Sequence, residues 1–257
     1  MRLVAKSVEI LDRLAASGEA TVAQLAELTG EPRSSLYRLL ASLEHLEFVE
    51  AGSQRGTYRL GLHILRLSGA LLDSLDERAR AFPVMERIHH ETGLTIFLFL
   101  RRDDRAVCVE RIAGRVVSLM AVELGGSLPL HAGASPRVLL ALSEPDLFEA
   151  YKKTADWQVF TKQTPTTAAR LTKLVQEVRR TGVSVSDGDL VNGVAAVGAP
   201  IYNHTGRLVA SLSASGLREE ILDPDSRVID VVTEGAREVS LALGYVTGDA
   251  TRNAVGR

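Results

Sequence analysis

The sequence has little of the features that mark secreted or membrane proteins. A single cysteine, Cys108, stands among 257 residues and cannot form an internal disulfide, which excludes a disulfide-rich scaffold. The apolar runs, such as residues 95–100, are far shorter than the roughly 20 residues that span a bilayer. Residues 1–6 show no secretory or lipidation signal. We therefore expect a cytoplasmic protein with no membrane partner.

A strong positive charge is also missing. The formal net charge is −2, and residues 1–60 hold seven basic against eight acidic residues. Such a balance excludes a protein that holds nucleic acid through bulk charge alone, so any DNA contact must be local. The 46% hydrophobic and 24% charged residues are typical of a folded protein. The length favours two domains.

Three helical patterns occupy the first 46 residues. The first has apolar residues at helical spacing and ends at Ser17 and Gly18. Thr21 is a suitable N-cap for a short second helix that Gly30 closes. Pro32 opens a third helix. The apolar stripes of the first and third helices are Val4, Val8, Leu11 and Leu14, and Leu36, Leu39, Leu40, Leu43 and Leu46. The tight turn between the second and third helices predicts a helix-turn-helix.

The face of the third helix opposite its leucines is polar and predicts a DNA-binding surface. Hydroxyl, tyrosine and arginine side chains there can reach phosphates or base edges in a major groove. Residues 48–50 and 57–60 then predict two strands around a glycine-containing loop, which is a β-hairpin wing. Arg55 and Arg59 place positive charge on that wing. The predicted DNA-binding residues are Arg33, Ser34, Ser35, Tyr37, Arg38 and Arg55.

Residues 1–61 are therefore predicted to form a winged helix-turn-helix domain. Few cations give a weak contact at one half-site, which favours a homodimer that places two recognition helices on a palindromic, double-stranded DNA operator. Residues 62–77 predict a linker helix with nearly two apolar faces, one for its own chain and one for a second subunit. Two alternatives are a three-helix unit that binds only protein and a connecting helix buried within a monomer.

The second domain, residues 78–247, mixes strands and helices. We predict a helix over 84–92 after Pro83 and strands over 95–100, 106–112 and 116–122. Helices over 136–142, 145–152 and 167–181, strands over 183–186, 194–202 and 208–215, and a closing helix over 224–244 follow. This order predicts an α+β domain with antiparallel strand pairs. Residues 248–257 are predicted to be a flexible tail.

A small-molecule site is predicted around residues 128–137. Ser135 as an N-cap, with Pro136 at the first helical position, would place Ala134 and Ser135 at the positive end of a helix dipole, which suits an anion. Ser213 and Ser215 alternate on one face of a strand. Taken singly, these features also fit a plain capped helix and a solvated strand.

Several segments resemble the IclR family of bacterial transcription regulators. They are residues 33–40 and 58–61 in the first domain, and residues 131–141, 187–196, 199–206 and 211–216 in the second. The resemblance covers nearly the whole chain. It implies a GAF-like effector-binding domain, a homodimer commonly paired as a dimer of dimers, and control of catabolic or related genes by a small metabolite. We expect repression, with activation as the alternative.

The resemblance also implies which residues bind that effector, expected to be a small organic acid. Its polar side would be Ala134, Ser135, Ser186, Ala196, Ser213 and Ser215. Its apolar wall would be Val117, Met120, Leu128 and Val194. Position 186 is often acidic in such family members and is serine here, while Pro136 removes a backbone donor. Both departures leave the identity of the acid open.

An enzyme is the alternative class, because His131, Ser135 and Asp187 could form a hydrolytic triad. No Gly-x-Ser-x-Gly motif is present, and an N-cap serine normally binds backbone N–H groups. Cys108, His131 and the pair His89 and His90 lack the spacing of metal ligands. We therefore expect no catalysis, no metal and no cofactor.

Overall fold

A computed structural model describes residues 2–73, 76–114 and 122–246. The chain divides into two compact units, residues 1–74 and 75–257, and each has a hydrophobic core of its own. Within the described ranges, no helix is both long enough and apolar enough to cross a membrane.

The first unit is a winged helix-turn-helix. Its elements are α1 (Arg2–Ser17), β1 (Ala20–Thr21), α2 (Val22–Thr29), α3 (Arg33–His45), β2 (Val49–Ala51), β3 (Thr57–Leu60) and α4 (Leu62–Asp73). The strands pair antiparallel in the order β1-β3-β2. Thr21 caps α2 as predicted, since its hydroxyl accepts a hydrogen bond from Gln24 N while the Gln24 side chain accepts one from Thr21 N. Gly30, at φ 68°, ends that helix.

The predicted apolar stripes of this unit are only partly buried. Ile10 and Leu14 form the α1 part of the core, whereas Val4 and Val8 are 68% and 51% exposed. Leu46 does not belong to α3, because it is the C-cap residue and is exposed. Regular spacing predicts the helix correctly, but the unit is too small to cover every apolar side chain on α1.

The second unit is built on a sheet covered on both faces. Its elements are α5 (Asp76–Thr92), β4 (Thr95–Arg102), β5 (Arg105–Ile112), β6 (Ser127–Pro129), α6 (Ala134–Leu142), α7 (Pro145–Thr154), α8 (Ala168–Thr181), β7 (Ser184–Asp187), β8 (Val194–Tyr202), β9 (Leu208–Leu217), α9 (Arg218–Ile221) and α10 (Val228–Ala242). Among the described residues, six strands pair in the order β6-β5-β4-β9-β8-β7. Every neighbouring pair is antiparallel, so the predicted α+β class is confirmed.

The two faces of this sheet bury different helices. Leu98 and Leu212 pack in one core with residues of α5 and α10. Phe97 and Phe99 point to the opposite face and pack in a core with residues of α6, α7 and α8. Because both faces are covered, β4 is apolar on consecutive residues, as strands buried on two sides are.

Pro83 does not begin a new helix, contrary to the sequence prediction. It lies inside α5, which runs from Asp76 to Thr92. A proline there removes the N–H that would bond to the carbonyl of Ala79, but Ala79 is exposed, so water can bind that carbonyl. The burial of Ala81, Met85 and Ile88 holds the helix against the sheet.

Other predicted boundaries in this unit also change. Residues 115–121, which hold most of the predicted 116–122 strand, lie outside the described residues. The short strand β6 was not predicted. The predicted closing helix over 224–244 is shorter, since α10 covers Val228–Ala242, and α9 precedes it as a separate turn. Sequence patterns locate elements better than their ends.

Candidate functional site

The recognition face is the polar side of α3 in the first unit. Arg33, Ser34, Tyr37 and Arg38 are exposed there, while Ser35 is half-buried. The leucines at positions 36, 39, 40 and 43 face the core on the other side. Neither Arg33 nor Arg38 forms an ion pair with any residue that the structure describes. The two guanidinium groups are therefore available to phosphates or guanine edges.

The wing contributes one free arginine rather than two. Arg55 is exposed in the loop between β2 and β3. Arg59 lies on β3, and its Nε donates to Glu50 Oε1 at 2.8 Å across the hairpin. Glu50 lies opposite Arg59 in the hairpin, so this exposed pair reduces the positive charge that Arg59 adds to the wing.

The second site is a cavity in the other unit, between the start of α6 and strands β4, β7, β8 and β9. About 30 Å³ of it is open to water-sized molecules, and the atom-free space is about 440 Å³ when the mouth and the gaps between lining atoms are included. Eight of the predicted effector-binding residues line it: Leu128, Ala134, Ser135, Ser186, Val194, Ala196, Ser213 and Ser215. Val117 and Met120 lie outside the described residues.

Strand register explains why these distant residues meet. Ser186 on β7 pairs with Ala196 on β8, which in turn pairs with Ser215 on β9. The three therefore form one row across the sheet. A second row runs from Gly198 through Ser213 to Phe97 on β4. Side chains in such rows point to the same face.

Sequence reasoning missed part of the apolar lining. Phe97, Phe99, Val122, Leu190 and Val191 also line the cavity. Alternation along β4 places Phe97 and Phe99 on one face, but only the pairing of Phe97 with Ser213 shows that this face is the cavity side. That register depends on long-range contacts and is not readable from one strand.

The start of α6 differs from the prediction. The helix begins at Ala134, and its N-cap is Gly133 at φ 94°, so Ser135 is the second helical residue and not the N-cap. Glycine adopts a positive φ without strain, so Gly133 can serve as the N-cap. The helix therefore starts two residues before Pro136, where the sequence predicted its start. The Ser135 hydroxyl is hydrogen-bonded to that of Ser211, with 3.0 Å between the two Oγ atoms.

This helix start still presents free backbone donors to the cavity. The N–H groups of Ala134 and Ser135 have no acceptor among the described residues, and the helix dipole makes their end positive. Gly198 allows the sheet to approach them, since a Cβ at that position would lie 2.9 Å from Ser135 N. The arrangement can bind a carboxylate or another acceptor.

A buried ion pair links the elements that carry part of the cavity lining. Arg137 on α6 pairs with Asp189, which follows β7, and both side chains are almost fully buried. Arg137 Nη2 also donates to Val185 O at 2.6 Å, and Asp189 Oδ2 accepts from Gly133 N at 3.4 Å. The pair thus ties the N-terminal part of α6 to β7 and to the segment that carries Leu190 and Val191.

The proposed hydrolytic triad is not assembled. His131 is buried, with Nδ1 2.7 Å from Tyr151 Oη and Nε2 3.0 Å from Gln158 O. Because a carbonyl can only accept, Nε2 carries the proton and Nδ1 accepts from Tyr151. Burial lowers the pKa of His131 and raises that of Tyr151 to about 12. The carboxylate of Asp187 is bound to Arg218 at 2.7 Å.

The described residues also offer no metal site. No group of three His, Cys, Asp or Glu side chains in residues 2–73, 76–114 and 122–246 is placed to hold a metal ion. Burial raises the pKa of Cys108 to about 12, so its thiol stays protonated at neutral pH.

Two family models match the chain in the two units. The model described as "IclR helix-turn-helix domain" matches residues 3–52. The model described as "Bacterial transcriptional regulator IclR C-terminal" matches residues 69–241. The second match alone covers more than half of the chain.

Curated relatives are similar over almost their full length. The HTH-type transcriptional regulator KipR of Bacillus subtilis is 31% identical over 245 residues, which cover 95% of this chain and 98% of the relative. The HTH-type transcriptional repressor AllR of Escherichia coli is 30% identical over 249 residues, covering 93% and 89%.

Solved structures share the fold. The crystal structure of the Thermotoga maritima IclR has a TM-score of 0.79 at 27% identity and covers 95% of this chain and 100% of its own. An IclR homolog from Microbacterium hydrocarbonoxydans, solved in complex with 4-hydroxybenzoate, has a TM-score of 0.82 at 22% identity and covers 94% and 98%. From the family models and the full-length relatives together, the chain belongs to the IclR family of bacterial transcriptional regulators and carries its helix-turn-helix DNA-binding domain.

Proposed function

We propose that this protein is a cytoplasmic repressor that binds a palindromic operator as a homodimer, which can pair as a dimer of dimers, and that a small organic acid in the cavity changes its affinity for DNA. The observation that carries the proposal is the convergence of eight predicted effector residues on one cavity beside the α6 N-terminus. The chain is not an enzyme in this proposal.

The DNA contact is assigned to the recognition face and the wing. Arg33, Ser34, Tyr37 and Arg38 would enter the major groove from α3, Ser35 would contact the backbone at its start, and Arg55 would contact the sugar-phosphate backbone. These side chains other than the half-buried Ser35 are exposed, and none of the three arginines forms an ion pair with a described residue, which supports the assignment. The AllR relative, a repressor by name, supports repression.

The homodimer is supported by apolar surface on α1 and α4. The exposed apolar side chains are Leu3, Val4, Val8, Leu62, Leu65 and Leu67. Their partner is assigned to a second copy of the chain, since two recognition helices are needed to raise the affinity of a domain with few cations. Several exposed apolar side chains on one helix, as on α4, suit an interface better than the surface of a monomer.

The chemistry of the cavity favours a largely apolar acid. No charged side chain is among the described lining residues, and the polar groups there are serine hydroxyls and backbone N–H groups. A ring or short chain would contact Phe97, Phe99 and Val194, while its carboxylate would bind at Ala134 and Ser135. A neighbour with this fold was solved with 4-hydroxybenzoate, which makes aromatic acids the first compounds to test.

The test measures operator affinity with and without acid. A duplex selected by the wild-type protein from a randomised pool serves as the operator, and calorimetry first identifies which of a set of aromatic and aliphatic acids bind. Saturating acid should then change the operator affinity, because coupling requires different acid affinities in the two DNA-binding states. An unchanged operator affinity with a calorimetrically bound acid would refute effector control.

A cavity variant makes this test specific. Ala196→Leu fills the cavity and should abolish acid binding while operator binding in the absence of acid persists. Ala168→Leu adds the same atoms to an exposed position on α8 and should leave both unchanged. Equal acid affinity in the two variants would place the acid elsewhere.

A further inference from the structure

Glu19 is an acidic residue next to the wing of a DNA-binding domain. It immediately precedes β1, and its side chain reaches the loop of residues 52–56 that carries Arg55. Glu19 Oε1 accepts a hydrogen bond from Ser53 N at 2.8 Å, and Oε2 lies 2.9 Å from Thr57 Oγ1. A carboxylate near DNA opposes binding through its charge, so these contacts call for an explanation.

The loop has few other restraints. Within the hairpin, Gly52 N donates to Thr57 O at 2.8 Å, Thr57 N donates to Gln54 O at 3.1 Å, and the Thr57 hydroxyl lies 2.8 Å from Gln54 O. In the part of the chain that the structure describes, the hydrogen bonds that reach this loop from outside the hairpin are those of Glu19. The Ser53 amide, and next the Thr57 hydroxyl, lower the pKa of Glu19, so the carboxylate is ionised at neutral pH.

The absence of a side chain at Gly52 leaves space for the contact between Glu19 and Thr57. A Cβ at that position would lie 2.3 Å from Thr57 Oγ1 and 2.7 Å from Glu19 Oε2. The φ of Gly52 is not in the left-handed region, so what requires glycine there is the space taken by the carboxylate and hydroxyl.

We propose that Glu19 is a positioning residue for the wing, whose carboxylate fixes the 52–56 loop so that Arg55 is held in place for the sugar-phosphate backbone. The proposal rests on the proposed function, in which Arg55 contacts DNA. A loop already ordered in the free protein loses less conformational freedom on binding. Glu19 therefore raises operator affinity although its charge acts against it.

Two substitutions separate the hydrogen bonds of Glu19 to Ser53 and Thr57, called the anchor below, from the charge of its carboxylate. Glu19→Ala removes both the charge and the hydrogen bonds. Glu19→Gln removes the same charge, but its amide oxygen can accept from Ser53 N and its amide nitrogen can donate to Thr57 Oγ1. Charge alone predicts tighter DNA binding for both variants, whereas the anchor predicts weaker binding for Glu19→Ala and rescue by Glu19→Gln.

The experiment uses the full-length protein and the duplex selected from the randomised pool, with affinity followed by fluorescence anisotropy over a range of salt. We expect Glu19→Ala to bind about tenfold more weakly, from loop ordering at two wings, with a salt slope smaller by about one per wing, as for loss of one phosphate contact. Glu19→Gln should bind at least as tightly as wild type. Added to Arg55→Ala, Glu19→Ala should cause no further loss.

Controls cover folding and charge. Glu27→Ala removes an exposed carboxylate from α2 and should not weaken binding. Thermal unfolding shows whether Glu19→Ala stays folded. If it does not, Thr57→Val removes one of the two Glu19 contacts, together with the contact of the same hydroxyl to Gln54 O, and should weaken binding in the same direction.

Three results would overturn the anchor: Glu19→Ala as tight as Glu27→Ala, equal affinities for Glu19→Ala and Glu19→Gln, or losses from Glu19→Ala and Arg55→Ala that add in full. Arg38→Ala distinguishes this failure from that of the proposed function. If only Arg38→Ala loses binding, the wing anchor is refuted and the recognition helix stands. If none of the variants loses binding, the DNA-binding assignment itself is refuted.

Discussion

The two units of the chain use polar side chains in opposite ways. In the first unit, Arg33, Tyr37 and Arg38 extend from α3 into solvent, and the core beneath them is apolar. In the second unit, Ser135 and Ser215 at the cavity are buried, and so is the pair of Arg137 with Asp189 behind it. Proteins bind DNA through exposed side chains, whereas they bind small molecules in pockets that remove most of the ligand from solvent.

In the first unit, the residues assigned to function contribute little to stability. In the second unit, the polar residues at the cavity contribute to both. Exposed side chains can be removed at little cost in folding free energy, since substitutions away from the core have small effects. A buried polar group that loses its partner keeps its desolvation penalty. Substitutions on α3 should therefore change binding alone, and substitutions behind the cavity should change folding as well.

The largest effect is expected from Asp189→Ala. It leaves the Arg137 guanidinium buried without its counterion, which should lower the free energy of unfolding by about 3–5 kcal/mol. Urea unfolding followed by the fluorescence of Trp157, the one tryptophan in the sequence, measures this in the second unit. Asp187→Ala is the control, because its pair with Arg218 is exposed and should change the free energy of unfolding far less. Equal losses of unfolding free energy in Asp189→Ala and Asp187→Ala would contradict the difference between buried and exposed polar groups.

Arg38→Ala should give the opposite pattern. We expect operator binding to weaken by about 1–3 kcal/mol at each half-site, while the free energy of unfolding changes by no more than about 0.5 kcal/mol. Anisotropy titration and thermal unfolding of the same sample measure the two quantities. Arg180→Ala removes an equal charge from an exposed position on α8 and should leave operator affinity near wild type. Wild-type affinity for Arg38→Ala would remove it from the recognition face.

Gly198→Ala should affect both stability and acid binding. Its Cβ would lie 2.9 Å from Ser135 N and 3.0 Å from Ala134 C, so the α6 N-terminus must move, at a cost of about 1–3 kcal/mol. Acid affinity should fall in calorimetry while operator binding without acid persists. Gly69→Ala meets nothing within 4 Å and should stabilise α4 by up to about 1 kcal/mol. Unchanged acid affinity in Gly198→Ala would argue that the acid does not bind at the α6 N-terminus.

The smallest expected effect is a pH dependence from His131. Burial lowers its folded-state pKa below the ordinary 6.5. As pH falls below that value, the unfolded chain takes up a proton that the folded protein does not, so stability decreases with a slope of at most about 1.4 kcal/mol per pH unit. Urea unfolding between pH 7.5 and 5 measures the slope. It should be reduced in His131→Gln and retained in His45→Gln, whose position is exposed. An identical slope in His131→Gln would assign the effect to another group.

The recognition face was predictable because a single helix decides it. The spacing of Leu36, Leu39, Leu40 and Leu43 faces one side to the core, and that alone turns Tyr37 and Arg38 outward. The cavity was predictable only in part. The resemblance supplied Ser186 and Ala196, and strand alternation supplied Ser215, but the cross-strand row that unites them depends on pairing between β7, β8 and β9. The side that Phe97 faces depends on its pairing with β9.

The sequence alone determined the helix-turn-helix, the wing and the α+β class, because helix periodicity, caps and strand alternation are local properties that act over a few residues. Tertiary structure decided the rest. It placed Glu50 beside Arg59, continued α5 through Pro83, and made Gly133 rather than Ser135 the N-cap of α6. It also brought Glu19 to the wing across more than thirty residues. These outcomes depend on which residues distant in sequence come into contact when the chain folds. Burial of apolar side chains and hydrogen bonding of buried polar groups then outweigh the conformational preferences of single residues.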